Sequence, residues 1–114
     1  MDNLTNDAKF LLSKMYEKYI EKRKKGYIKK DAKSFGNLEK VHSEIMSEWP
    51  IEDVLSTLLE LRANEFIIGT PASTTMFHIQ ITNIAIAMLE KTFKDKVEDV
   101  LDFAAKIKSA IPFI

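Results

Sequence analysis

The sequence contains no cysteine, which excludes disulfides, thiolate nucleophiles and cysteine-ligated zinc, and which fits a cytoplasmic setting. Its three glycines are scattered, so there is no glycine-rich phosphate loop, and neither a nucleophile elbow nor a Ser-His-Asp order is present. No apolar run approaches the roughly 20 residues needed to cross a bilayer. The opening MDNLTNDAKF lacks a basic-then-apolar signal pattern. Histidine is scarce too: His42 and His78 stand 36 positions apart without the further convergent donor that a metal site needs. The adjacent acids Glu52-Asp53 and Glu98-Asp99 diverge by about 100° on a helix, so they do not face one substrate as an acid/base pair. A non-enzyme without cofactor or metal is the expectation.

What is present suits one compact domain spanning 1–114. Of its 114 residues, 46% are apolar and 30% charged, too rich in core formers for a disordered chain. The 17 basic and 17 acidic side chains cancel, but their distribution is uneven. Residues 1–33 hold ten Lys/Arg against five Asp/Glu, residues 34–66 two against seven, and residues 67–114 five of each. The amino-terminal third is therefore basic and the middle third acidic.

Hydrophobic spacing predicts a helix from Asn6 to about Lys24, with Ala8, Leu11, Leu12, Met15, Tyr16, Tyr19 and Ile20 on one stripe, a cap at Thr5 or Asn6, and a stop at Gly26. A connector follows, strand-like at Tyr27-Ile28. Asn37 then caps a second helix through Leu38, Val41, His42, Ile45, Met46 and Trp49, with His42 at the edge of the core. Pro50 begins a third helix with Val54, Leu55, Leu58, Leu59 and Leu61 repeating at helical spacing. FIIGT and MFHIQIT read as a hairpin joined by the PAST turn, with Phe77, Ile79 and Ile81 on one face and Met76, His78 and Gln80 on the other. Thr82 caps a further helix with Ile84, Ala85, Met88 and Leu89 inward. The stripe Phe93, Val97, Val100, Leu101, Ala104, Ile107 and Ile111 makes 94–114 a packing or dimerisation helix, so a homodimer is expected.

The order helix, extended piece, helix, turn, helix, hairpin, helix over roughly residues 7–93 resembles the winged helix-turn-helix superfamily. Leu58 and Leu61, then Phe66-Ile67, then Ile81-Thr82, Ala85 and Leu89 stand where such domains end the third helix, open the hairpin and start the next helix. Glu65 stands where a helix-ending glycine is common, Ile81 replaces Leu and Ala85 replaces Gly. The style is similar to that of small proteins of low-GC Gram-positive bacteria and their phages, including the YjcQ-like group. The resemblance implies an α+β fold, a three-helix core with a β-hairpin wing, and binding of double-stranded DNA by a transcriptional regulator.

Lys22, Arg23, Lys24, Lys25, Lys29, Lys30 and Lys33 form a basic block that reads either as a phosphate clamp or as a solvated helix end. Ser56, Thr57 and Arg62 are the expected base contacts of the third helix, and the wing residues Thr74 and Thr75 read either as phosphate contacts through hydroxyl or amide or as part of a plain tight turn. The outward Glu52, Asp53 and Glu60 oppose this, because they repel the phosphates on which affinity depends. Glu52 and Asp53 suit a helix's first turn; Glu60 has no such explanation. An interaction module, antirepressor or adaptor, that offers this acidic helix to a protein partner is therefore the alternative. No membrane partner is expected, since the basic block is short and has no lipidation motif.

Overall fold

The computed structural model describes residues 3–93. Helix α1, Asn6–Lys24, buries all seven residues of the expected stripe and Phe10 as well. The Thr5 side chain accepts from the Ala8 amide. At the other end the Gly26 amide donates to Arg23 O and the Tyr27 amide to Lys22 O, while Gly26 takes φ 93°. This pair of bonds around a left-handed residue satisfies the last carbonyls.

Tyr27 and Ile28 are not a strand; they are 48% and 63% exposed. The left-handed glycine turns the chain directly into a short helix α2, Lys29–Lys33. The strand is β1, Ser34–Gly36, the stretch that reaches a hydrogen-bonding neighbour. Helix α3, Leu38–Glu44, begins at Asn37, whose side chain accepts from the Lys40 amide. It ends earlier than its apolar spacing predicts. Met46 and Trp49 are buried from a turn, which His42 holds through Nε2 at 2.8 Å from Trp49 O.

Helix α4, Ile51–Ala63, buries Val54, Leu58 and Leu61. It closes with the Phe66 amide donating to Leu61 O and the Glu65 amide to Arg62 O, the same motif as in α1, but here the left-handed position holds Glu65 at φ 64°. A side chain there costs roughly 1 kcal/mol, partly offset by the flexibility that glycine adds to the unfolded chain. Glu65→Gly is expected to stabilise the fold by up to about 1 kcal/mol, read as a higher urea midpoint at unchanged slope.

Strands β2, Ile67–Ala72, and β3, Thr75–Ile81, form an antiparallel hairpin, and β1 adds to β3, giving the order β1-β3-β2. Ile68 pairs with Gln80 and Thr70 with Phe77, so Gly69 faces both His78 and Ile79, and His78 takes φ 55°. The extra residue reverses the alternation beyond it. Met76 is consequently buried and Phe77 is 42% exposed, opposite to the simple alternating pattern, while Ile79 and Ile81 stay inward.

Helix α5, Asn83–Phe93, starts at Thr82, whose hydroxyl accepts from the Ala85 amide and donates to Glu65 O. Ala85, Ile86, Leu89 and Phe93 are buried, whereas Ile84 is 57% exposed, so the inward face is rotated from the one expected. Phe93 stacks on Tyr16 with ring centroids 6.4 Å apart; its place is the domain core. Val97, Val100, Leu101, Ala104, Ile107 and Ile111 lie outside the described residues.

The protein is thus an α+β fold of amino-terminal helices, a three-stranded antiparallel sheet with a β2–β3 hairpin, and a following helix, compatible with a winged helix. Among the described residues no helix is long and apolar enough to cross a membrane.

Candidate functional site

Helix α4 is held on its α1 side by the acid that the sequence leaves unexplained. Glu60 accepts from the Thr5 amide at 2.8 Å and from the Thr5 hydroxyl at 2.7 Å, tying the third helix to the start of the first. Charge-assisted bonds of this kind are about twice as strong as neutral ones, and the carboxylate also faces the positive end of the α1 dipole.

Asp7 lies close by. Burial, then the charges of Asp53 and Glu60, raise its pKa above the ordinary carboxylate value, despite its favourable place in the first turn of α1. A carboxyl group with a raised folded pKa holds its proton more tightly in the native state, so stability is lost as pH rises through the interval between its unfolded and folded values. Asp7→Asn is therefore expected to stabilise the protein near about pH 7, with the gain vanishing below the carboxylate range; urea titrations at the two acidities measure this.

The other contact residues expected on α4 are placed unequally. Ser56 is exposed. Thr57 is not an outward residue: it is 5% exposed and its hydroxyl donates to Asp53 O at 2.7 Å. A threonine one turn along reaches back to the carbonyl four residues earlier, which turns it inward. Arg62 is exposed, but its Nε donates to Gly69 O, directing the guanidinium along the first strand of the hairpin. At the hairpin turn Thr74 is exposed, and the Thr75 hydroxyl donates to the Glu39 carboxylate.

The basic block sits elsewhere. Lys22, Arg23, Lys24 and Lys25 close α1, about 28 Å along that helix from the end that meets Glu60. Several of its members are engaged internally. Lys22 Nζ donates to Ser34 O at 2.8 Å and lies 4.4 Å from the centre of the Phe35 ring, and burial lowers its pKa. Arg23 donates to Tyr27 O, and Lys33 to Asn83 Oδ1. Lys24, Lys25, Lys29 and Lys30 are exposed, beside a groove of about 570 Å³ lined by Tyr19, Ile20, Tyr27 and Ile28.

A second groove, of about 520 Å³, lies between α3, α4 and the β2–β3 turn. Leu38, Ile51, Leu55 and Leu59 give it apolar walls, Glu39 and Glu52 acidic ones, and Ser56, Ser73 and Thr74 hydroxyls. Leu59, expected to be inward, is 41% exposed. Sequence reasoning missed this groove, although a signal existed: Ile51, Val54, Leu55, Leu58, Leu59 and Leu61 cover more of a helix than one buried face needs. Ile51 and Leu55, half-buried against the edge of the core, and the exposed Leu59 form a row at i, i+4 and i+8.

His78 is exposed and His42 half-buried. Among the described residues no three His, Asp or Glu side chains are grouped to hold a metal ion. Comparison with protein-family models, with curated proteins and with solved structures finds no match.

Proposed function

We propose that this chain is a protein-interaction module on a winged-helix scaffold, presenting the outer side of α4 to a partner protein. The observation that supports this reading is the composition of that side: Ile51, Leu55 and Leu59 flanked by Glu52 and Ser56, while Arg62, the one cation of α4, is bonded to the hairpin backbone. Phosphate attraction supplies nearly all nonspecific DNA affinity, and this surface offers it little. An apolar row edged by acids instead suits a partner with apolar anchors and basic neighbours. Homodimerisation is a separate part of the proposal and draws on the sequence stripe from Val97 to Ile111.

A second reading, a winged-helix DNA-binding regulator, draws on the exposed Lys24, Lys25, Lys29 and Lys30. It would place phosphate contacts at the α1–α2 corner, with Ser56, Arg62 and Thr74 near the bases. Binding to random duplex DNA over a salt series separates the two, with light scattering giving the mass of the free protein. The interaction module is expected to show no saturable binding tighter than the nonspecific range of about 10⁻⁴ to 10⁻⁶ M at physiological salt. Tight binding that falls steeply with salt, and that Lys24→Glu with Lys25→Glu abolishes, would establish the regulator in its place.

A further inference from the structure

The groove between α3, α4 and the β2–β3 turn allows the partner's chemistry to be named, on the premise of the interaction-module reading. We infer that it binds an amphipathic helix carrying apolar anchors along one face and lysine or arginine beside them.

Three features carry this. The first is pitch. Ile51, Leu55 and Leu59 span about 12 Å along α4, matching the apolar side chains that a helix presents over two turns at i, i+4 and i+7. Leu38 closes the groove from α3, so the anchors enter a cleft with apolar walls. The second is charge. Glu39 and Glu52 both line the cleft, and Glu39 is held by the Thr75 hydroxyl, which donates to both of its carboxylate oxygens at 3.2 and 3.0 Å. Among the described residues no Lys or Arg lines it. The neighbouring Lys40 runs toward Gly36, where its Cδ stands 3.0 Å from the position a Cβ would take. The third is the kind of backbone present. Adding an extended peptide to a sheet requires an exposed strand edge, and here the hairpin contributes Ser73 and Thr74, the two residues between the strands. A helix, whose backbone bonds are already made internally, needs no such edge.

The test uses the full chain and a synthetic peptide of leucine and lysine, about fourteen residues long and patterned as an amphipathic helix. Two control peptides accompany it, one with glutamate in place of lysine and one of the same composition with the helical period scrambled. Backbone amide shifts locate the binding, and fluorescence anisotropy measures it. The expected result is saturable binding with shifts centred on Ile51–Leu59, Leu38–Glu39 and Ser73–Thr74. Leu59→Asp should weaken it about tenfold or more, as for an anchor contact, and Glu52→Lys several-fold. Both positions are exposed, and a circular dichroism melt of each variant verifies the fold. Glu39→Lys with Glu52→Lys should invert the preference toward the glutamate peptide.

Shifts centred on another face, or equal binding of the scrambled or glutamate peptide, would overturn the groove assignment. That failure leaves the interaction-module reading intact as long as duplex DNA does not perturb α4. Duplex DNA that shifts the same α4 amides would overturn the module reading itself.

Discussion

Trp49→Ala is expected to destabilise the domain by about 3–5 kcal/mol, the range for removing a large buried aromatic side chain. Trp49 is 1% exposed, and its ring centre lies 5.9 Å from that of Phe10 at an interplanar angle of 34°, so it fastens the α3–α4 turn to α1. The cost is set by packing, because the backbone carbonyl that accepts from His42 Nε2 survives the substitution. For a domain of this size each kcal/mol moves the melting temperature by about 4–8 °C, so a loss of roughly 12 °C or more is expected by circular dichroism. The total stability of such domains is about 5–15 kcal/mol, so the variant approaches the unfolding threshold. A loss under about 1 kcal/mol would mean that the turn does not depend on this ring. His42→Ala tests the other half of the junction. Losing one hydrogen bond and a half-buried ring should cost less than Trp49→Ala, which makes the ring the dominant fastener.

Local devices in this chain were legible because they act within a few residues. The seven-residue stripe of α1, the caps at Thr5, Asn37 and Thr82, and the stop at Gly26 all appear where spacing and cap chemistry place them. The features that escaped reading depend on distant partners or on irregular backbone. Glu60 looks superfluous until Thr5, 55 positions away, is brought against it. Met46 and Trp49 continue a helical rhythm through a turn that is not helical, because burial alone sets their spacing. Met76 and Phe77 exchange faces because one extra residue enters the strand, and a period of two cannot reveal it.

The same contrast shapes the candidate site. The acidity of the middle third was visible as composition, and it separates into different roles in three dimensions. Glu60 joins two helices, Glu65 occupies a left-handed helix stop, and Glu39 and Glu52 line a groove. Of these four, only Glu39 and Glu52 line a groove along with apolar side chains. The basic third likewise divides, with Lys22 and Lys33 bonded internally and Lys24, Lys25, Lys29 and Lys30 exposed. None of these four lysines is among the residues that line the α4 groove. On the proposed interaction-module reading the partner's contacts are the groove residues, whereas a duplex read by α4 would need cations beside it.

Gly69→Ala is expected to destabilise the hairpin by about 1–3 kcal/mol, the cost of overpacking, even though alanine ordinarily improves on glycine in a strand by roughly 0.5–1 kcal/mol. A Cβ at this position would stand 2.6 Å from Met76 Sδ and 3.0 Å from its Cγ. Met76 has no exposed surface, so its side chain has nowhere to swing, and the Phe77 carbonyl oxygen 3.5 Å away limits movement of the strand. A double-mutant cycle isolates this clash from any general intolerance of the bulge. Met76→Ala alone leaves a cavity and should cost about 2–5 kcal/mol. In that background the obstructing atoms are gone, the added methyl fills space, and Gly69→Ala should become neutral or stabilising, giving a coupling of about 1–3 kcal/mol. Urea midpoints of the four proteins provide the measurement. An equal penalty in both backgrounds would show that the glycine is required by the two-against-one pairing with His78 and Ile79, and that the close approach to Met76 is incidental.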